Sequence, residues 1–93
     1  FMTAACPGIV CTTLGNKYYD SHEAYVRAVA REMRKEYELV HARGYVLQLD
    51  CPDLAMERHG QWQNAPLKEF QDAIAIHIDA IHQACVDIPS DSI

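Results

Sequence analysis

Nowhere in this chain is an apolar run long enough to cross a bilayer, and no basic stretch leads into an apolar one as in a secretory signal. Positive charge is also scarce. Eight Lys and Arg stand against 13 Asp and Glu, for a net charge of −5, and the basic residues form no cluster. That balance weighs against nucleic acid or anionic lipid as a partner. The chain has no Cys-x2-Cys and no His-x3-His pair, so it lacks the usual local signatures of a metal site. It has no internal repeat and no low-complexity segment. With 93 residues it is at most one small domain.

The charge that is present is unevenly placed. Residues 1–50 hold six basic and six acidic residues, whereas residues 51–93 hold two and seven, so the whole acidic excess lies in the second part. Hydrophobic residues make up 49% and charged ones 23%, which is a composition for folding rather than disorder. Cys6, Cys11, Cys51 and Cys85 are widely and irregularly spaced. A disulfide framework is one reading. Reduced thiols in a cytoplasmic chain is the reading preferred here, because the periodicity described next is not that of a loop-rich, stapled domain. The opening Phe1-Met2-Thr3 and the closing Ser92-Ile93 read as the ends of a segment cut from a longer protein.

Residues 8–12, Gly-Ile-Val-Cys-Thr, read as a short buried strand after Pro7. A loop through Gly15 and Asn16 follows, and a helix is expected to begin at Asp20 or Ser21, with Asp20 and Glu23 spaced as a capping box. Tyr25, Val29, Met33, Tyr37 and Val40 form its apolar stripe, flanked by Val26 and Ala30. The Arg, Lys and Glu residues between positions 27 and 38 read as its solvated faces. Gly44 closes this helix. Residues 45–50 read as a second strand, with Tyr45, Leu47 and Leu49 on one face and Val46, Gln48 and Asp50 on the other. Pro52 ends it. A loop over 53–65 leads to a second long helix at about 66–86, whose expected stripe is Leu67, Phe70, Ile74, Ile78, Ile81 and Cys85, widened by Ile76 and Ala80. The long, helix-containing connection between the strands predicts a parallel crossover.

One feature of the second strand is unusual. In a parallel sheet helices cover both faces, and both faces are then apolar. The face Val46, Gln48, Asp50 instead grows polar toward the carboxyl end. A (βα)8 barrel accounts for this, because one strand face meets the helices while the other points into the lumen, and the carboxyl rim is where such barrels do their chemistry. The fold class expected is therefore α/β, a partial (βα)8 barrel of about two βα units. Asp50 has a second reading, as a turn residue bonding to the amides that follow it. That reading leaves Gln48 unexplained.

The segment Gln48-Leu49-Asp50-Cys51-Pro52-Asp53-Leu54-Ala55-Met56 resembles the strand-end segment QIDEPALRE of cobalamin-independent methionine synthases, whose barrels are akin to those of uroporphyrinogen decarboxylase. Cys6-Pro7-Gly8-Ile9-Val10-Cys11 is similar to the GPVTILCW strand of the same family. The similarity is greater to the family's shorter, single-barrel relatives, through Asn16, Tyr18, Tyr19, Glu23, Ala24 and Tyr25 and the run from Leu47 to His59. It spans nearly the whole chain.

The resemblance implies a zinc-dependent methyl or alkyl transferase of the kind used in methionine biosynthesis, acting on a small-molecule thiol such as homocysteine. It implies that Asp50 holds the amino group of that thiol, with Gln48 beside it, and that Thr12, Met56, Arg58 and His59 lie near the rim. Where the family places a Glu and a Trp against folate, this chain has Met56 and Thr12, which disfavours a folate donor. The zinc ligands of the complete enzyme are expected in later segments, so no metal ligand is assigned within residues 1–93. A full barrel takes roughly 250 residues, and the implied partner is the rest of a barrel. The alternatives are a partner-binding α/β module without catalysis and a chain that completes its sheet by homo-oligomerising.

Overall fold

A computed structural model describes residues 1–15, 17–55, 62 and 64–93. The chain is a mixed α/β unit with a two-stranded parallel sheet and three helices. The elements in order are β1 (Met2–Ala5), α1 (Pro7–Thr13), α2 (His22–Ala42), β2 (Leu47–Asp50) and α3 (Leu67–Ala84), with short 3-10 turns at Pro52–Leu54 and Ser90–Ser92. No helix among the described residues is long and apolar enough to span a membrane.

The strand expected at residues 8–12 is α1, and the true first strand lies just before it. Pro7 stands at the first helical position, where its fixed φ suits a helix and its missing N–H costs nothing. That start overrides the strand preference of Ile9 and Val10. β1 pairs in parallel with β2 in the register Met2–Leu47, Thr3–Gln48, Ala4–Leu49 and Ala5–Asp50. Hydrogen bonds from Met2 N to Val46 O (2.9 Å) and from Cys6 N to Asp50 O (3.2 Å) bracket the ladder. The crossover between the strands carries α1 and α2.

α2 begins one residue later than a cap at Asp20 would set. Ser21 is the cap, and its hydroxyl accepts the Ala24 amide at 3.1 Å. At the far end Gly44 has φ +84°, a conformation costly to a residue with a Cβ, and its amide reaches His41 O at 3.0 Å. The buried face of α2 is turned toward Val26 and Ala30, the residues expected only to flank its stripe. Val26, Ala30, Tyr37 and Val40 join Ala4, Leu47, Ala80, Ala84 and Ile88 in one core, with Tyr25, Val29 and Met33 at its margin. The Tyr37 hydroxyl donates to Ala5 O, tying α2 to the end of β1.

α3 is rotated from its expected orientation. Its buried face is Phe70, Ala73, His77, Ala80 and Ala84, whereas Leu67 and Ile78 are exposed and Ile74 and Ile81 half-buried. Small residues let α2 and α3 approach closely, so the alanines face the partner and the isoleucines lie to the side. Two arginines of α2 are also not wholly solvated. Arg27 meets Asp79 at 2.6 Å and Arg34 pairs with Asp87, both from the acidic second part of the chain.

Candidate functional site

Both strands end in the same way. Ala5-Cys6-Pro7 and Asp50-Cys51-Pro52 each place a cysteine one step past the last paired residue and a proline that starts a helical turn. The turn after β2 delivers Asp53, and the turn after β1 delivers Gly8. The Asp53 carboxylate is buried at 1% exposure, as is His77 from α3. Asp53 Oδ2 lies 2.7 Å from His77 Nδ1, and Asp53 Oδ1 accepts the Cys6 thiol at 3.0 Å. The other ring nitrogen of His77, Nε2, is 2.8 Å from Nε2 of His22, the first residue of α2. A line of four side chains thus runs from buried Cys6 through Asp53 and His77 to half-buried His22, drawn from four separate segments. Trp62 borders its outer end, with ring centroids 5.3 Å from His22 and 6.1 Å from His77.

Gly8 makes this line possible. A Cβ at position 8 would fall 2.1 Å from Asp53 Oδ2 and 2.5 Å from His77 Nδ1. Only glycine lets α1 lie against the carboxylate–imidazole pair.

The electrostatics follow from burial and pairing. Burial alone would raise the Asp53 pKa, but its hydrogen bonds from His77 and Cys6 outweigh that and hold it below its ordinary value. Asp53 is therefore an ionised acceptor, and both neighbours must donate to it. Burial, then the Asp53 and Cys51 hydrogen bonds, push the Cys6 thiol far up, so Cys6 is a protonated donor and not a nucleophile. Burial and neighbouring His77 lower the His22 pKa. Burial pushes Cys11 up to about 12 and also raises Cys51 and Cys85. All four cysteines are free thiols.

Gln48 and Asp50 are exposed on the sheet face turned away from the helices, next to Thr3 and Ala5 by register, while Leu47 is buried beneath the helices and Leu49 half-buried. Gln48 also lines an open cleft of about 450 Å³ with Phe1, Val46, Leu47, Leu49 and Ile93. Thr12 is half-buried near the end of α1, where its hydroxyl donates to Ile9 O at 3.2 Å. Met56, Arg58, His59 and Asn16 lie outside the described residues. No group of three or more His, Cys, Asp or Glu among the described residues is placed to hold a metal ion.

The Asp53–His77–His22 line escapes a reading by sequence spacing, because its members lie 24 and 55 positions apart. A signal for it does exist. His77 interrupts a stripe of small and aromatic residues, Phe70, Ala73, Ala80 and Ala84, at helical steps of three and four. A polar side chain in such a stripe must find a buried partner, and Asp53 is a short acid following a proline that pins the turn. Compared with family models, curated proteins and solved structures, the chain matches none.

Proposed function

We propose that this chain supplies part of a (βα)8 barrel of a zinc-dependent thiol methyl or alkyl transferase, related to methionine synthase, and that Asp50 and Gln48 bind the thiol substrate. The observation that carries this reading is the polar face of the sheet. Helices cover one side of the two strands, whereas Thr3, Gln48 and Asp50 are exposed on the other. A barrel gives that face a purpose, because further strands would continue the sheet at both edges and turn this side into the lumen. Asp50 would then stand at the carboxyl rim, where a carboxylate pairs with the ammonium of an amino-thiol. The sequence resemblance of Gln48–Met56 supports the same assignment, whereas the segment likened to a family strand, Cys6–Cys11, is largely helical here.

The described residues offer no ligand set for the zinc that the resemblance implies. What the chain contributes is recognition of the substrate. Asp50→Asn removes the charge and keeps the shape. In the full protein it should weaken homocysteine binding by about tenfold or more, since a hydrogen bond to a charged group contributes about 1.5–3 kcal/mol. Binding of the desamino thiol 4-mercaptobutyrate should not change. Calorimetric titration of both ligands makes the comparison, and equal homocysteine affinity in the two proteins would remove Asp50 from the site.

A second reading draws on the same exposed face and on the two strand edges that are unpaired among the described residues: a non-catalytic module that completes its sheet with another chain. Native mass and metal content, measured on one sample, separate the two. A metal-free homo-oligomer supports the module, and zinc bound in a larger assembly supports the transferase.

A further inference from the structure

The hydrogen-bond line fixes where its protons sit. Asp53 is an acceptor, so Nδ1 of His77 carries a proton. The 2.8 Å contact between the two Nε2 atoms needs one proton between them. With both rings neutral, His77 Nε2 is bare and His22 Nε2 carries that proton, which leaves Nδ1 of His22 as the free base. If His22 Nδ1 takes up a proton, the proton on its Nε2 can pass to His77 Nε2. The positive charge then rests on His77, beside the Asp53 carboxylate. His22 is neutral again, in the opposite tautomer. One N–H bond forms at His22 Nδ1, one breaks at His22 Nε2 and one forms at His77 Nε2, so the proton count balances.

We infer that Asp53, His77 and His22 form a proton-accepting relay, with His22 Nδ1 as its entry point and the Asp53–His77 pair as the seat of the charge. Among the described residues, the groups that face the two imidazoles are few. Cys6, from the end of β1, donates to the far oxygen of Asp53. Gly8 of α1 brings no charge, and Trp62, with Phe70 packed against it, borders the rings without titrating. Asp53 is thus the one ionised partner of the pair among the described residues. A carboxylate in this position orients the imidazole next to it and stabilises its charged form. The chemical class such a relay serves is a weak acid that must give up one proton as it reacts, as a thiol does. The relay does not depend on the alkyl-transferase reading, because it follows from the contacts of these side chains alone.

Long-range proton–nitrogen NMR of the histidine-labelled full chain tests it. At alkaline pH, His22 should be protonated at Nε2 and bare at Nδ1. As the pH is lowered and the pair takes up a single proton, His77 should become doubly protonated while His22 switches to the Nδ1 tautomer. The two rings should report one shared midpoint. Asp53→Asn keeps an acceptor for His77 but removes the charge, and should lower that midpoint by at least about one pH unit. Four results would overturn the relay: His22 keeping its tautomer through the titration, independent midpoints for the two rings, a midpoint unmoved by Asp53→Asn, or wild-type rings with the tautomer mixture of free histidine. If Asp53→Asn does not fold, the wild-type tautomers decide alone.

Discussion

Gly8 shows how closely this chain is fitted at the scale of single residues. Its missing side chain is what brings the start of α1 against Asp53 and His77. Because both of those groups are buried and bonded to others, neither can move aside freely. Gly8→Ala would place a methyl 2.1 Å from a carboxylate oxygen. Overpacking of this kind costs about 1–3 kcal/mol, and here the structure can relieve it only by breaking the 2.7 Å bond between Asp53 and His77. The variant should lose roughly 2–3 kcal/mol of stability in urea denaturation. A loss within the ±0.5 kcal/mol of an ordinary surface substitution would mean that α1 can slide without disturbing the pair. In the sequence Gly8 reads only as part of a Pro-Gly start to a strand, because the reason for the glycine lies 45 and 69 positions away.

At the scale of elements, local signals were readable and rotations were not. The bounds of α2, its cap region and its Gly44 stop follow from short-range rules, and the two strands pair in parallel as the long connection requires, but Val26 and Ala30, beside the expected stripe of α2, are more buried than Tyr25, Val29 and Met33 within it. β1 was hidden because Met2-Thr3-Ala4-Ala5 carries little strand signal, while Ile9-Val10 carries much and sits in a helix. The face of α3 was hidden for another reason. Spacing alone favours the larger side chains, whereas packing against α2 selects the smaller ones. The exposed face of Gln48 and Asp50 was legible because alternation along a strand is strict, but the line from Cys6 to His22 joins four segments, and the break that His77 makes in the α3 stripe marks only one of its members. The rotation of α3 has a direct consequence. Ala80 is fully buried and Ile78 is 41% exposed. Ala80→Leu should destabilise the fold by about 1–3 kcal/mol through overpacking, whereas Ile78→Ala should cost less than about 1 kcal/mol, well short of a core truncation. Thermal unfolding of both variants checks this. A large loss at Ile78 together with a tolerated Ala80→Leu would restore the stripe that spacing suggests.

At the scale of the whole molecule, the uneven charge of the sequence becomes a contact between its parts. Arg27 and Arg34 of α2 meet Asp79 and Asp87 from the acidic second part. These pairs are partly exposed and contribute little each, so they align α2 with α3 rather than hold the fold together. The pH dependence of stability comes instead from the buried groups. His22 has a pKa below its ordinary 6.5 in the fold, so the unfolded chain binds its proton first and stability falls as the pH drops below about 6.5. Asp53 is held below its ordinary 3.8. Its contribution is present above that value and is lost as the pH falls through its lower folded pKa. On the alkaline side, burial raises Cys11 from 9.0 to about 12, and Cys6 and Tyr37 shift upward as well. For these groups the contribution is intact below the unfolded value and disappears as the pH rises toward the folded one. The urea midpoint should therefore form a plateau between about pH 6.5 and 9 and decline on both sides. His22→Gln should flatten the upper part of the acid limb, around pH 5 to 6.5, and leave the alkaline limb in place. A maximum near pH 5, or an acid limb unchanged by His22→Gln, would mean that the imidazole is as free to charge in the folded chain as in the unfolded one, and that the closeness of the two histidines carries no energetic weight.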